Sequence, residues 1–239
     1  MAGIDLEHEQ RRIFVLRALA AGLFAAAGPS MAALLGHLPK PMPAGKSIFL
    51  LQGLVTVNGA TATSDTAIRA GDRIETAPNS RVIFVVGQDA FILREASTLQ
   101  LEPAPGEFVV ETLRLVTGKL LSVFGKTRHA VYTPTATIGI RGTGLYVEAD
   151  AEQSYVCTCY GTTEVSALDD PSAIETIQSR HHDAARYVLA ASAKGPHLRA
   201  APFINHTDDE LALVEALVSR APPFVLPGDS YSTPRRSEY

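Results

Sequence analysis

Tryptophan and clustered basic residues are missing from this sequence, and their absence excludes classes of partner. The 239 residues include no tryptophan, and 21 lysines and arginines are outnumbered by 25 aspartates and glutamates. Duplex nucleic acids attract proteins through clustered cations, and single strands need aromatic surfaces for stacking. We therefore expect no nucleic-acid partner.

Catalytic motifs are missing as well. The sequence contains no Gly-x-Ser-x-Gly elbow, no His-Glu-x-x-His helix, no Walker loop and no dinucleotide-binding fingerprint. We therefore predict a protein that is not an enzyme and that requires no cofactor.

Cysteine is scarce, and its placement argues against a disulfide framework. Cys157 and Cys159 are the two cysteines, and a single residue separates them. A disulfide across one intervening residue strains the bridge geometry, and these two cysteines do not form the kind of disulfide framework that staples small secreted domains.

The N-terminal segment, residues 1–36, is typical of an export signal or a membrane anchor. Arg11 and Arg12 are followed by Phe14, and an uncharged run extends from Ala18 to Gly36. This pattern resembles a twin-arginine signal, and the alternative is an uncleaved anchor in the inner membrane. Both interpretations place the rest of the chain in the periplasm and limit membrane contact to this segment.

The middle of the chain has the pattern of many short strands. A proline-containing linker at 37–47 leads into residues 48–168, where runs of about five apolar or β-branched residues alternate with turns such as Asn58-Gly59. Because strands recur without helical periodicity between them, we predict a mainly β domain, either a short β-solenoid or a flattened β-sandwich.

The C-terminal part is predicted to be a mixed extension over 169–226 and a disordered tail over 227–239. Thr207 and Glu210 form a capping-box pattern, and apolar residues at helical spacing follow it until Pro222. We therefore predict a small helix near 207–220.

Two motifs resemble the markers of FecR-type domains. The segment Gly-Asp-Arg-Ile-Glu-Thr at 71–76 resembles the family's first marker, and Thr-Pro-Thr-Ala-Thr-Ile-Gly-Ile-Arg-Gly-Thr at 133–143 resembles its second. The resemblance spans about residues 50–166 and implies a β-rich periplasmic domain, often solenoid-like, with these positions in structural roles: Gly71, Asp72, Thr76, Pro134, Gly139, Arg141, Gly142 and Thr143.

These positions are interpreted as turn chemistry. Gly71 and Gly142 are expected where the backbone needs positive φ or a close approach. The guanidinium of Arg141 is expected to hold the carbonyls of adjacent turns.

Named members of that family sense a siderophore receptor and control a sigma factor. They carry a long cytoplasmic helical segment before the membrane, whereas only about twelve residues precede the apolar run here. We therefore carry over the fold and the compartment, and keep a transmembrane regulator of sigma-factor signalling as an alternative.

One local pattern suggests a metal site. On a strand, Cys157 and Cys159 would point to the same face, and His181, His182 and His206 follow them in the chain. Two thiols and one or two imidazoles can hold a transition metal, although two buried core cysteines would give the same pattern.

Three functions follow from the sequence. The favoured one is an exported, non-enzymatic binding or sensor-like module whose partner is an unidentified protein or envelope ligand. The alternatives are a periplasmic metal- or redox-binding protein and the transmembrane regulator.

Overall fold

The computed structural model describes residues 39–103, 110–191 and 195–224, which form one large sheet and one helix. The predicted N-terminal signal or anchor and the predicted disordered tail lie outside the described residues. The strands are β1 (Ile48–Gln52), β2 (Val55–Val57), β3 (Ala60–Thr61), β4 (Arg73–Thr76), β5 (Arg81–Val86), β6 (Asp89–Leu93), β7 (Ser97–Pro103), β8 (Val110–Val123), β9 (Arg128–Tyr132), β10 (Ala136–Ala149), β11 (Gln153–Ala167), β12 (Ile174–Ser179), β13 (Arg186–Leu189) and β14 (Leu198–Ala200), and the helix is α1 (Asp208–Leu217).

The sheet is open and almost entirely antiparallel. Its main path runs β14-β13-β11-β10-β9-β8-β7-β4-β2-β3; β12 joins at β11, and β6, β5 and β1 branch from β8. Among the described strands, only β8 and β9 pair in parallel. Short connections between consecutive strands favour this antiparallel pairing. The mainly β class with a C-terminal helix is therefore confirmed. The solenoid architecture gains no support, because successive coils of a solenoid would pair their strands in parallel.

Strand β10 changes its pairing partner along its length. β10 pairs with β9 over residues 137–141 and with β8 over residues 144–149, and its register against β11 shifts between Arg141 and Gly144. Gly142 has a φ of 57°, a backbone conformation that residues with a side chain rarely adopt. The second family-like motif thus forms the bulge at which β10 exchanges partners.

The two faces of the central strands carry two separate apolar clusters. On β10, Leu145 and Val147 belong to the larger cluster, whereas Tyr146 belongs to the second cluster. This division follows from the two-residue period of a strand. The second cluster is covered by α1, whose Leu211, Val214 and Leu217 are included in it; we call it the helix-covered cluster.

The helix begins as the capping pattern predicts. The Glu210 N–H donates to Thr207 Oγ1 at 3.2 Å, and the Thr207 N–H donates to the Glu210 carboxylate at 3.0 Å. α1 ends at Leu217, a few residues before Pro222. α1 has ten residues, and the described part of the chain contains no helix that could span a lipid bilayer.

The segment predicted as a mixed extension also contains strands of the main sheet. β12 and β13 both pair with β11, which lies entirely inside the predicted β domain. A boundary at 168 therefore separates strands that are hydrogen-bonded to each other, because β12, β13 and β14 continue the same sheet.

Polar residues of the first family-like motif hold turns and strand ends together. Asp72 accepts hydrogen bonds from Asn58 Nδ2 and from the Arg69 N–H, both at 2.7 Å, and Gly71 has a φ of 98°. The Thr76 hydroxyl donates to the Arg94 carbonyl and accepts from the Ser97 N–H.

The residues of the second motif differ in what they contact. Thr143 Oγ1 lies 3.0 Å from the carbonyl oxygens of Arg141 and Thr162, across the bulge. Pro134 lies in the turn between β9 and β10. Gly139 has room for a side chain, because an added Cβ would have no neighbour closer than 3.8 Å. The expected contact of the Arg141 guanidinium is not found: this side chain is exposed and makes no hydrogen bond within the described part of the chain.

Candidate metal centre

Strand β11 brings the two cysteines to the face under α1. Cys157 and Cys159 both belong to the helix-covered cluster, with Thr158 between them on the other face, and both thiols are fully buried. The alternation of a strand therefore places two sulfur donors side by side, as the sequence predicts.

The loop between β12 and β13 supplies the first imidazole. His182 has a φ of 55°, and its N–H donates to the Cys159 carbonyl at 2.9 Å, so the loop folds back onto β11. The loop is closed by Asp183, whose carboxylate accepts from the Arg180 N–H at 2.8 Å. In this position, His182 Nδ1 lies 3.5 Å from Cys157 Sγ.

The segment before α1 supplies the second imidazole. His206 lies directly before the capping Thr207 and is 1% exposed. Its Nδ1 lies 2.7 Å from the Ile204 carbonyl, and because a carbonyl only accepts, Nδ1 carries the proton. The other nitrogen, Nε2, lies 3.4 Å from Cys159 Sγ, and the ring stacks on Tyr146 with centroids 4.4 Å apart.

The four donor atoms have the spacing of a tetrahedral metal site. All four lie within 4.8 Å of one another, and the two imidazole nitrogens, His182 Nδ1 and His206 Nε2, are 3.2 Å apart. With zinc–sulfur bonds of about 2.3 Å and zinc–nitrogen bonds of about 2.0–2.1 Å, a tetrahedron has nitrogens about 3.3–3.4 Å apart and sulfur about 3.5–3.6 Å from nitrogen. Three of the six separations, at 3.2, 3.4 and 3.5 Å, are within about 0.2 Å of these values, and the other three are at most 4.8 Å, so the donors are close enough for a Cys₂His₂ centre.

Asp208 orients the imidazole of His182 from outside this cluster. Its Oδ1 lies 3.0 Å from His182 Nε2, which leaves Nδ1 directed at the sulfur atoms. A carboxylate or carbonyl that fixes the second nitrogen of a histidine is the usual support of a histidine ligand. Asp208 does this for His182, as the Ile204 carbonyl does for His206.

His181, which the sequence grouped with the ligands, faces a different direction. Its Nε2 lies 2.9 Å from both carboxylate oxygens of Asp208, and its side chain is 18% exposed. Together with His182 it forms a second, outer group around Asp208. Of the five predicted ligands, the structure thus brings four together and places His181 beside them.

Burial and close contact inside the cluster shift the pKa values of both cysteines and of His182. Burial opposes the thiolate of Cys157, but hydrogen bonding with Cys159 and the nearby rings of His206 and His182 lower its pKa well below the usual value. Burial and the adjacent Cys157 raise the pKa of Cys159. Burial also opposes the imidazolium of His182, yet Asp208 and Cys157 raise its pKa to about 9. These directions place a Cys157 thiolate beside a His182 imidazolium and leave the proton on the Cys159 thiol. Metal binding would therefore release one proton from Cys159 and one from His182.

Burial of the Cys157 thiol argues against a role as a catalytic nucleophile. Cys157, His182 and Asp208 line up as a nucleophile, a base and an orienting acid would, but the thiol has no exposed surface. A substrate atom must approach such a sulfur closely. Four protein donors also leave no open position on a metal, which is the arrangement of a structural site.

Comparisons with known proteins assign neither a family nor a function. No family model matches the chain, and no curated protein matches it. Two crystal structures of "a putative anti-sigma factor from Parabacteroides distasonis ATCC 8503", at 1.65 and 2.50 Å resolution, are similar. They share 13% and 12% identity, with a TM-score of 0.44, and the alignments cover 66% of this chain and 81% of theirs. A likeness at this level carries no functional argument, so the FecR-type resemblance stays a prediction.

Proposed function

We propose that this chain is a metal-binding protein that holds one transition-metal ion through Cys157, Cys159, His182 and His206. The observation that carries the proposal is the spacing of the four buried donor atoms, with the two imidazole nitrogens 3.2 Å apart and each sulfur 3.4 or 3.5 Å from one of them.

Zn²⁺ fits this donor set best. Two thiolates and two imidazoles are soft and borderline ligands, whereas Ca²⁺ and Mg²⁺ require oxygen donors. Two thiolates also neutralise a dication, and a neutral centre is far less costly to bury than a charged one. Because no coordination position stays open, the metal would serve structure or sensing rather than catalysis.

We further propose that the sheet is the exported, non-enzymatic FecR-type interaction module that the two motifs predict. The supporting observation is that motif residues hold the fold at its turns: Asp72 ties the turn at Arg69 to the hairpin at Asn58, and Thr143 lies across the bulge of β10. Reporter fusions at Glu9 and Ser64 test the compartment. If both positions lie outside the cytoplasm, the transmembrane-regulator alternative is excluded.

Elemental analysis of the purified full chain tests the metal proposal. We expect about one zinc per chain after dialysis against buffered zinc under reducing conditions. The matched variants are His182→Ala, which removes a ligand, and His181→Ala, which removes its neighbour in sequence.

We expect His182→Ala to lose stoichiometric zinc and His181→Ala to retain it. A wild-type chain without stoichiometric metal, or two variants that behave alike, would contradict the proposed ligand set. The circular dichroism of each variant reports whether it is folded.

A further inference from the structure

We infer that metal occupancy controls how firmly α1 covers the sheet, so that loss of the metal opens the helix-covered cluster. This inference rests on the proposed metal site and adds a regulatory consequence to it. It follows from where the four ligands lie in the chain and from what α1 covers.

The ligands come from three segments that are far apart in sequence. Cys157 and Cys159 lie on β11, His182 lies in the β12–β13 loop, and His206 lies in the segment that leads into the helix. A bound ion joins these segments at a single point. Only Thr207 separates the His206 ligand from Asp208, the first residue of α1. The start of the helix therefore cannot leave the sheet while the metal is bound.

A second attachment of the helix start, through Asp208, also depends on the metal site. Asp208, the first residue of the helix, contacts the imidazoles of both His181 and His182. When His182 binds metal through Nδ1, its proton stays on Nε2, directed at the carboxylate of Asp208. Metal binding and the seating of the helix start therefore support each other.

α1 covers an apolar surface whose exposure to water would be unfavourable. The helix contributes Leu211, Val214 and Leu217, which pack in one cluster with residues of β5 and β6 such as Ile83 and Ile92. A helix of ten residues is not stable alone in water. If its attachment opened, the helix would lose structure and the apolar face of the sheet would be exposed.

Other contacts also hold α1, so the control is graded. Arg94 Nη2 donates to both Glu210 oxygens at 2.8 and 2.9 Å, and to the Asn205 carbonyl at 2.8 Å. At the other end, the Met42 N–H donates to the Leu217 carbonyl at 2.9 Å. None of these groups is a metal ligand. Without metal, we therefore expect the helix to open more often rather than to stay detached.

The size of the effect follows from linkage. An opening that breaks the site is suppressed by the factor by which the ion favours the closed state, which is about 100-fold at a free ion concentration of about 100 times Kd. The strands beneath the helix keep their own pairings, so this factor should apply to α1 and not to a remote strand such as β7, which contacts only the larger cluster.

Hydrogen exchange of the full chain tests this inference, with zinc buffered at about 100 times Kd and, separately, with chelator and reductant. We expect peptides spanning Asp208–Leu217 to exchange about 100-fold more slowly with zinc, and peptides of β7 to change little. Two variants separate the sources of attachment. Arg94→Met should speed exchange of α1 in both states and keep the zinc effect, whereas His206→Ala should abolish the zinc effect.

The outcomes distinguish the two proposals. Stoichiometric zinc with unchanged exchange in α1, or with an equal slowing in α1 and β7, would overturn the inference and leave the metal site standing. Absence of stoichiometric zinc would overturn the metal site itself. A zinc effect that persists in His206→Ala would show that the link to the helix is not made through this residue, and would also overturn the inference.

Discussion

The substitution Asp208→Asn tests the residue that orients a metal ligand while leaving all four ligands in place. The asparagine keeps the size of the side chain but removes the charge that faces His182 Nε2 at 3.0 Å and His181 Nε2 at 2.9 Å. Loss of such a partner of a histidine ligand typically weakens metal binding 10- to 100-fold. That range corresponds to about 1.4–2.8 kcal/mol. We expect the same number of bound ions and a Kd higher by this factor.

Charge at the start of a helix has its own effect, and the neighbouring residue controls for it. Asp209→Asn also removes one acidic charge from the first turn of α1, but Asp209 is not a member of either donor group. Loss of a favourable helix-end charge costs about 0.3–1 kcal/mol of stability. The assay is an anaerobic competition titration of each variant against a chromophoric zinc chelator. If Asp208→Asn binds zinc as tightly as the wild type, or if both variants weaken binding equally, the orienting role of Asp208 is refuted.

Two further predictions concern the fold. Burial raises the pKa of Asp89, although the charge of His129 acts in the opposite direction. The protonated carboxyl therefore stabilises the folded chain below the ordinary aspartate pKa of about 4. This contribution is lost as the pH rises past the raised pKa of Asp89. The wild type should therefore lose stability relative to Asp89→Asn as the pH rises above about 4, and a difference in urea unfolding that stays constant with pH would contradict this. A Cβ at Gly144 would lie 2.4 Å from the buried ring of Tyr160, so Gly144→Ala should cost about 1–3 kcal/mol. Gly139→Ala, with no atom closer than 3.8 Å to the added carbon, should cost much less in the same thermal unfolding measurement, and equal losses would refute the packing argument.

The class of the fold was predictable from local patterns, but its layout was not. Alternation and turns predicted short strands, and the capping pair Thr207 and Glu210 predicted the start of α1 within one residue. The length of β10 was less evident, because Gly142 and Gly144 look like a strand end although the chain continues through a bulge. The pairing of β12 and β13 with β11 joins separate segments of the chain, so it could not be predicted from a local sequence pattern.

The candidate site was predictable as a set of residues and not as a geometry. Strand alternation placed Cys157 and Cys159 on one face, but nothing in the sequence distinguished His182 from His181 as the nearer ligand. That choice depends on the positive φ of His182 and on its hydrogen bond to β11. From the sequence, Asp208 can be interpreted only as an acidic residue at a helix start, because its contact with His182 joins residues 26 positions apart.

The most direct test of the account is X-ray absorption spectroscopy at the zinc edge of the zinc-loaded full chain, prepared under reducing conditions. The account predicts four-coordinate zinc with two sulfur atoms at about 2.3 Å and two imidazole nitrogens at about 2.0–2.1 Å. A shell made only of nitrogen and oxygen donors, or one with a single sulfur, would contradict it.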